Sequence, residues 1–102
     1  MKQFLPLIAL TATGTATVPV LADAKIACNG GPMAQWAHMD KLKSKLTTEG
    51  WKIKKILKAG DCYEVYAKTP QGDNVESFFN PRTFQKILVL KRGKTLYRAD
   101  GF

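Results

Sequence analysis

The apolar positions of this chain fall into one helical stripe followed by several short alternating runs. Trp36, Met39, Leu42 and Leu46 recur at spacings of three, three and four, which places them on one side of an α-helix. Lys41, Lys45 and Thr48 fall on the opposite side. Pro32 suits the first helical position, where a missing N–H costs nothing, and Gly50 stands where a helix end favours glycine. The pattern predicts a helix from about Pro32 to Glu49, entered from a loop, Lys25 to Gly31, that ends in Asn29-Gly30-Gly31.

The period then changes to two. Trp51 to Lys58 begins as a strand with Trp51 and Ile53 on one face, but the doubled lysine at Lys54-Lys55 shifts the phase. Either a β-bulge or a short helical continuation would accommodate that shift. Ala59-Gly60-Asp61 reads as a turn. Cys62 to Lys68 follows, with Tyr63, Val65 and Ala67 inward and Glu64, Tyr66 and Lys68 outward. Thr69-Pro70-Gln71-Gly72-Asp73 has the proline-early, glycine-late order of a hairpin turn. Asn74 to Phe79 returns with Val75, Ser77 and Phe79 inward, and Glu76 and Phe78 outward. Asn80-Pro81-Arg82-Thr83 breaks the ladder, because proline has no N–H and restricts its predecessor. Gln85 to Leu90 is a further strand, Arg92-Gly93-Lys94 a turn, and Thr95 to Arg98 a short edge strand, after which the end is expected to fray.

One helix followed by hairpin-linked strands implies an α+β domain: an N-terminal amphipathic helix packed on an antiparallel sheet of three or four strands. Trp36, Met39, Leu42 and Leu46 would meet Trp51, Ile53, Tyr63, Val65 and Phe79. Nothing in this arrangement requires a second chain, so a monomer is expected.

Ahead of the stripe the composition differs. Met1-Lys2-Gln3 carries one positive charge, Phe4 to Leu10 is almost wholly apolar, and a Thr- and Ala-rich stretch leads to Val20-Leu21-Ala22-Asp23-Ala24. This is the pattern of a Sec signal peptide over residues 1–22, with cleavage after Ala22 or Ala24. The apolar run is shorter than the roughly 20 residues that span a bilayer. Residues 25–102 would then form a periplasmic or secreted domain with no transmembrane segment. A domain that small buries only about 60% of its unfolded surface, so covalent support is expected.

Two cysteines, Cys28 and Cys62, are available for it. Export leads to an oxidising compartment, where such a pair forms a disulfide. A redox pair would favour C-x-x-C spacing, and a metal site would need more partners than the single histidine, His38, provides. Closing the loop would stabilise the fold by roughly 3–4 kcal/mol.

The precursor's net charge is +8. That balance suits solubility first, and anionic partners second; for an exported protein, nucleic acid is not an expected partner. The lone His38 precludes any triad built on a second histidine. Met33, His38 and Met39 carry donor types suited to Cu(I), but Met39 belongs to the core stripe and packing is the better reading, so no metal and no cofactor is expected. Glu64 and Glu76 face outward on neighbouring strands, where paired carboxylates can perform acid–base chemistry. A solvated cluster neutralised by Lys52 or Lys68 is the simpler expectation, and no catalytic residue is assigned. Three surfaces remain as candidates for binding: the outer sheet face of Glu64, Tyr66, Glu76 and Phe78; the edge of the last strand, open to strand addition; and the basic residues Lys86, Lys91, Arg92, Lys94 and Arg98.

One set of motifs is more specific than its parts. An amphipathic helix precedes Gly50-Trp51-x-Ile53, then Cys62-Tyr63-Glu64-Val65-Tyr66-Ala67, then Gly72-x-x-Val75-Glu76-x-Phe78-Phe79-Asn80-Pro81-x-Thr83. This order resembles the PepSY domain, most closely its short, secreted, single-domain members from Gram-negative bacteria. The likeness covers about Cys28 to Leu90. It implies a helix-on-sheet fold and a non-catalytic role in restraining or modulating a peptidase or another envelope protein. Two departures stand out. Asn80 replaces the usual aspartate before proline, and Phe84 occupies a place where many members have glycine. The alternative expectation is an envelope factor that binds metal or an anionic polymer through its basic C-terminal region or its His and Met residues.

Overall fold

In the computed structural model, residues 26–102 are described; the expected signal peptide, with both candidate cleavage sites, lies outside the described residues. A single 3-10 turn, Met33–Gln35, precedes helix α1, Met39–Thr48. Five strands follow: β1 Lys52–Ala59, β2 Cys62–Lys68, β3 Asn74–Phe79, β4 Lys86–Lys91 and β5 Lys94–Arg98. They form one antiparallel sheet in the order β1-β2-β3-β4-β5. The class is α+β as expected, with five strands where three or four were anticipated.

The helix is shorter than its apolar stripe. Pro32 starts a turn, but only the tight 3-10 one, in which Gln35 N–H donates to Pro32 O at 2.9 Å. Trp36 and His38 are extended, with ψ of 141° and 142°. The intervening Ala37 N–H donates across the molecule to Pro81 O at 3.0 Å, so it is not available to a helix. Helix α1 therefore begins after His38, whose Nδ1 accepts from Asp40 N–H at 3.2 Å as an N-cap. Trp36 still packs on the core, edge-on to Tyr63 with ring centroids 5.4 Å apart. At the other end Gly50 has φ +98°. Gly50 N–H donates to Thr47 O and Trp51 N–H to Leu46 O, the pair of bonds that closes a helix with glycine in this position. Trp51 is thereby delivered into the core beside Leu46.

The phase shift at Lys54-Lys55 is a bulge. Ile53 pairs with Ala67 and Lys55 with Tyr66, with the register shifting between them. Lys54 is the additional residue, and its insertion lets Ile53 and Ile56 both face the helix. That face holds the first core: Leu42, Leu46, Trp51, Tyr63, Val65, Ala67, Val75, Phe79 and Val89 are buried together.

The sheet has a second core on its other side. Cys28, Cys62, Phe78, Ile87, Leu88 and Ala99 are buried there, with Ile26 and Phe102 packed against them. Cys28 and Cys62 form the expected disulfide across a sequence separation of 34. It holds the loop before the helix against the outer face of β2. The chain end, expected to fray, instead turns back: Ala99 N–H donates to Ile87 O at 2.8 Å and Phe102 N–H to Ala99 O at 3.2 Å. Both chain ends of the described region thus cover one half of the sheet.

Candidate binding surfaces

The outer-face residues Glu64, Tyr66, Glu76 and Phe78 are neighbours, since Glu64 pairs with Phe78 and Tyr66 with Glu76 across β2 and β3. They do not form an open patch. Phe78 is 2% exposed and belongs to the second core, and Glu64 is 7% exposed. The outward direction read from the alternation is right; the exposure is not, because the disulfide-bound loop and the C-terminal turn cover that half of the face. Tyr66 and Glu76 remain half-buried.

The two carboxyls are not a solvated pair neutralised by lysine. Among the described residues no lysine makes an ion pair with either one; Lys55 instead places its Nζ over the Tyr66 ring, 5.0 Å from the centroid. The Glu76 carboxyl is pushed up to about 7, first by its hydrogen bond with Glu64, then by burial and by the Glu64 charge. Tyr66 Oη, 3.3 Å from Glu76 Oε2, opposes that rise. Burial, followed by the same glutamates, raises the Tyr66 phenol as well. The Glu76 carboxyl is thus held in its protonated form to a higher pH than an ordinary carboxyl.

The cysteine sulfurs and the imidazole have structural partners. Asp61 lies close to both cysteine sulfurs, but the sulfurs are bonded to each other, and the Asp61 carboxylate accepts from Cys28 N–H at 2.9 Å and Asn29 N–H at 3.0 Å. Beneath this loop Gly30 sits so close to the Pro81 ring that a Cβ would come within 2.6 Å of it. Met33, His38 and Met39 do not converge. Met33 Sδ is 3.6 Å from Lys58 Nζ, His38 caps α1, and Met39 packs on the first core.

The five basic residues are similarly divided. Lys86 Nζ lies 4.4 Å from the Tyr97 ring centroid, and Lys91 pairs with Asp73 at 2.7 Å. Arg92 and Lys94 flank the β4–β5 turn. Arg98 lies opposite Leu88, beside a cavity of about 200 Å³ lined by Ile26, Ile87, Leu88 and Phe102. They are distributed over both faces and one end of the sheet.

The clearest open apolar surface was only partly anticipated. All five residues of β5 are exposed, Leu96 by 51% and Tyr97 by 40%. Val89 pairs with Tyr97 and Leu90 with Thr95, so Leu96 is the extra residue of a bulge. Helix α1 lies against the β1 side of the sheet. On the β5 side Trp51, Val89, Leu96 and Tyr97 line a groove of about 340 Å³, with Lys86 and Asp73 also on its wall. The adjacent Leu96-Tyr97 pair was the available signal, since two consecutive apolar residues in a short edge strand cannot both be buried by simple alternation.

A family model described as "Peptidase propeptide and YPEB domain", PepSY, matches residues 7–88. The chain belongs to this family. PepSY domains are in general non-catalytic, propeptide- or inhibitor-like modules, typically extracellular or periplasmic. Strand β5 lies beyond the matched PepSY residues. No curated protein and no solved structure matches the chain. Among the described residues no helix is long and apolar enough to cross a membrane.

Proposed function

We propose that this PepSY domain is an exported, monomeric, non-catalytic binding module that restrains or modulates a peptidase or another envelope protein by surface contact, without a cofactor. Family membership supports the class of role. The observation that carries the contact is the uncovered Leu96-Tyr97 surface of β5 beside the groove: exposed apolar area next to a concave wall is what partner docking uses. The outer face of Tyr66 and Glu76 is a smaller candidate, since Glu64 and Phe78 are buried. Binding of metal or an anionic polymer has less support, because neither the His and Met residues nor the basic side chains come together.

The test is inhibition. Purified protein is titrated into an envelope extract of its source cells, and hydrolysis of an unstructured protein substrate is followed. Wild type should lower the rate, and Leu96→Ser/Tyr97→Ser should not. Rates unchanged by wild type at any concentration would remove the peptidase reading; equal inhibition by both proteins would move the contact off β5.

A further inference from the structure

The groove beside β5 also limits what can occupy it. We infer that it receives an exposed partner segment carrying a large apolar side chain next to a carboxylate: the apolar group enters between Trp51 and Tyr97, and the carboxylate meets Lys86. This rests on the binding-module reading and adds the chemistry of the occupant.

Size sets the first limit. A space of about 340 Å³ is at the lower end of ligand-sized sites, which begin at about 300 Å³. It holds one or two side chains, not the face of a whole helix. Trp51, Val89, Leu96 and Tyr97 form its apolar wall, and Thr69, Gln71, Asp73 and Lys86 its polar one.

The mode of contact is the second limit. Strand addition needs a regular, unpaired edge. Strand β5 is five residues long, interrupted by the Leu96 bulge, and carries Lys94 and Arg98 at its ends. Short length, a bulge and terminal cations are the features that keep sheet edges from pairing. Recognition therefore runs through side chains in the groove, not through a new backbone ladder.

Charge is the third. Asp73, the acid on the groove wall, already pairs with Lys91. Lys86 makes no ion pair among the described residues, and its contact is with the Tyr97 ring. A cation held on an aromatic ring at the edge of an apolar groove selects a carboxylate beside the entering side chain. The chain's net charge of +8 steers acidic segments in the same direction.

The inference is tested by titrating the isotope-labelled protein with three capped tetrapeptides, Gly-Phe-Glu-Gly, Gly-Phe-Lys-Gly and Gly-Ala-Glu-Gly, while amide and indole shifts are recorded by NMR. The Phe-Glu peptide should move the signals of Trp51, Val89, Leu96 and Tyr97 and bind about five- to tenfold more tightly than either other peptide. Lys86→Glu should reverse the preference towards Phe-Lys, and Lys86→Met should abolish it while preserving the dispersed spectrum of the folded protein. Equal binding of Phe-Glu and Phe-Lys by wild type, no response to any peptide, or shifts centred on Tyr66 and Glu76 or on the Arg98 cavity would each overturn the inference. A protein that inhibits hydrolysis in the extract yet ignores this panel keeps the binding-module reading and loses only the assignment of the occupant.

Discussion

The side-chain nitrogen of Asn80 lies 2.9 Å from the carbonyl oxygen of Cys28, joining the turn after β3 to the disulfide loop 52 positions earlier. The same side chain accepts from Arg82 N–H at 2.8 Å and Thr83 N–H at 3.2 Å through Oδ1. An aspartate could accept those two bonds but could not donate to Cys28. The departure from the family's aspartate thus has a specific consequence in this chain. Asn80 is 5% exposed, so Asn80→Asp would turn a buried donor into a carboxylate facing a carbonyl. The expected loss is about 1–3 kcal/mol, read as a lower denaturation midpoint at neutral pH. Unchanged stability would show that the bond to Cys28 contributes nothing.

Removal of the disulfide should cost more. With a separation of 34 residues, Cys28→Ala/Cys62→Ala should lose about 3–4 kcal/mol by the chain-entropy argument. Urea unfolding of oxidised, reduced and double-variant protein measures it. A reduced wild type as stable as the oxidised form would contradict the assignment of this bond as the covalent support of the fold.

Glu76 gives the protein a pH response opposite to ordinary acid denaturation. Its carboxyl titrates at about 7 in the fold and at 4.5 ordinarily, so between these values the folded state binds more protons than the unfolded one. The stability contributed by the protonated form is fully present below 4.5 and is lost as pH rises through 7. The loss is on the order of 1 kcal/mol, because solvent screens a half-exposed carboxyl. Melting temperatures of wild type should fall across this window, and those of Glu76→Gln should fall less. Parallel profiles would locate the pH response elsewhere.

Phe84 occupies a place where many PepSY members have glycine, and its φ is +65°. Such a conformation disfavours a side chain by roughly 1–2 kcal/mol. Yet the ring is half-buried against the first core, and an aromatic side chain buried in part offsets about that much or somewhat more. Phe84→Gly should therefore be destabilising by about 1 kcal/mol, and Phe84→Ala by more, since alanine keeps the backbone penalty and loses the ring. Calorimetry of the two variants sets the order; a glycine variant more stable than wild type would mean that the ring's packing is worth less than the strain.

Local patterns were legible where the deciding interactions are local. The phase break at Lys54-Lys55 can be reconciled only by an extra residue or a change of element, and the hairpin register around Gly72 places Glu64 and Glu76 on one side. The helix start was not legible. Trp36 keeps the spacing of the stripe, but the bond that takes Ala37 out of the helix comes from Pro81, far along the chain. Phe78 pointed the right way and was covered by segments whose positions no alternation encodes. The same holds for the carboxyl pair: proximity follows from register, whereas the raised Glu76 carboxyl follows from its hydrogen bond with Glu64 and from burial. The five basic residues look like one patch in sequence because turns bring them close in number, and the sheet then sends them to different faces.

The two-sided core makes completion of the fold depend on the compartment. The helix side can assemble from contacts among α1 and the strands alone. The other side is closed by the loop before the helix, fastened through Cys28 and Cys62, and by the C-terminal turn. With its thiols reduced, the loop loses its covalent tie to β2 and keeps only the hydrogen bonds of Asp61 and Asn80 to hold it over Phe78 and Leu88. Oxidation adds the covalent fastening, so a reducing environment would leave the second cover the more easily opened of the two.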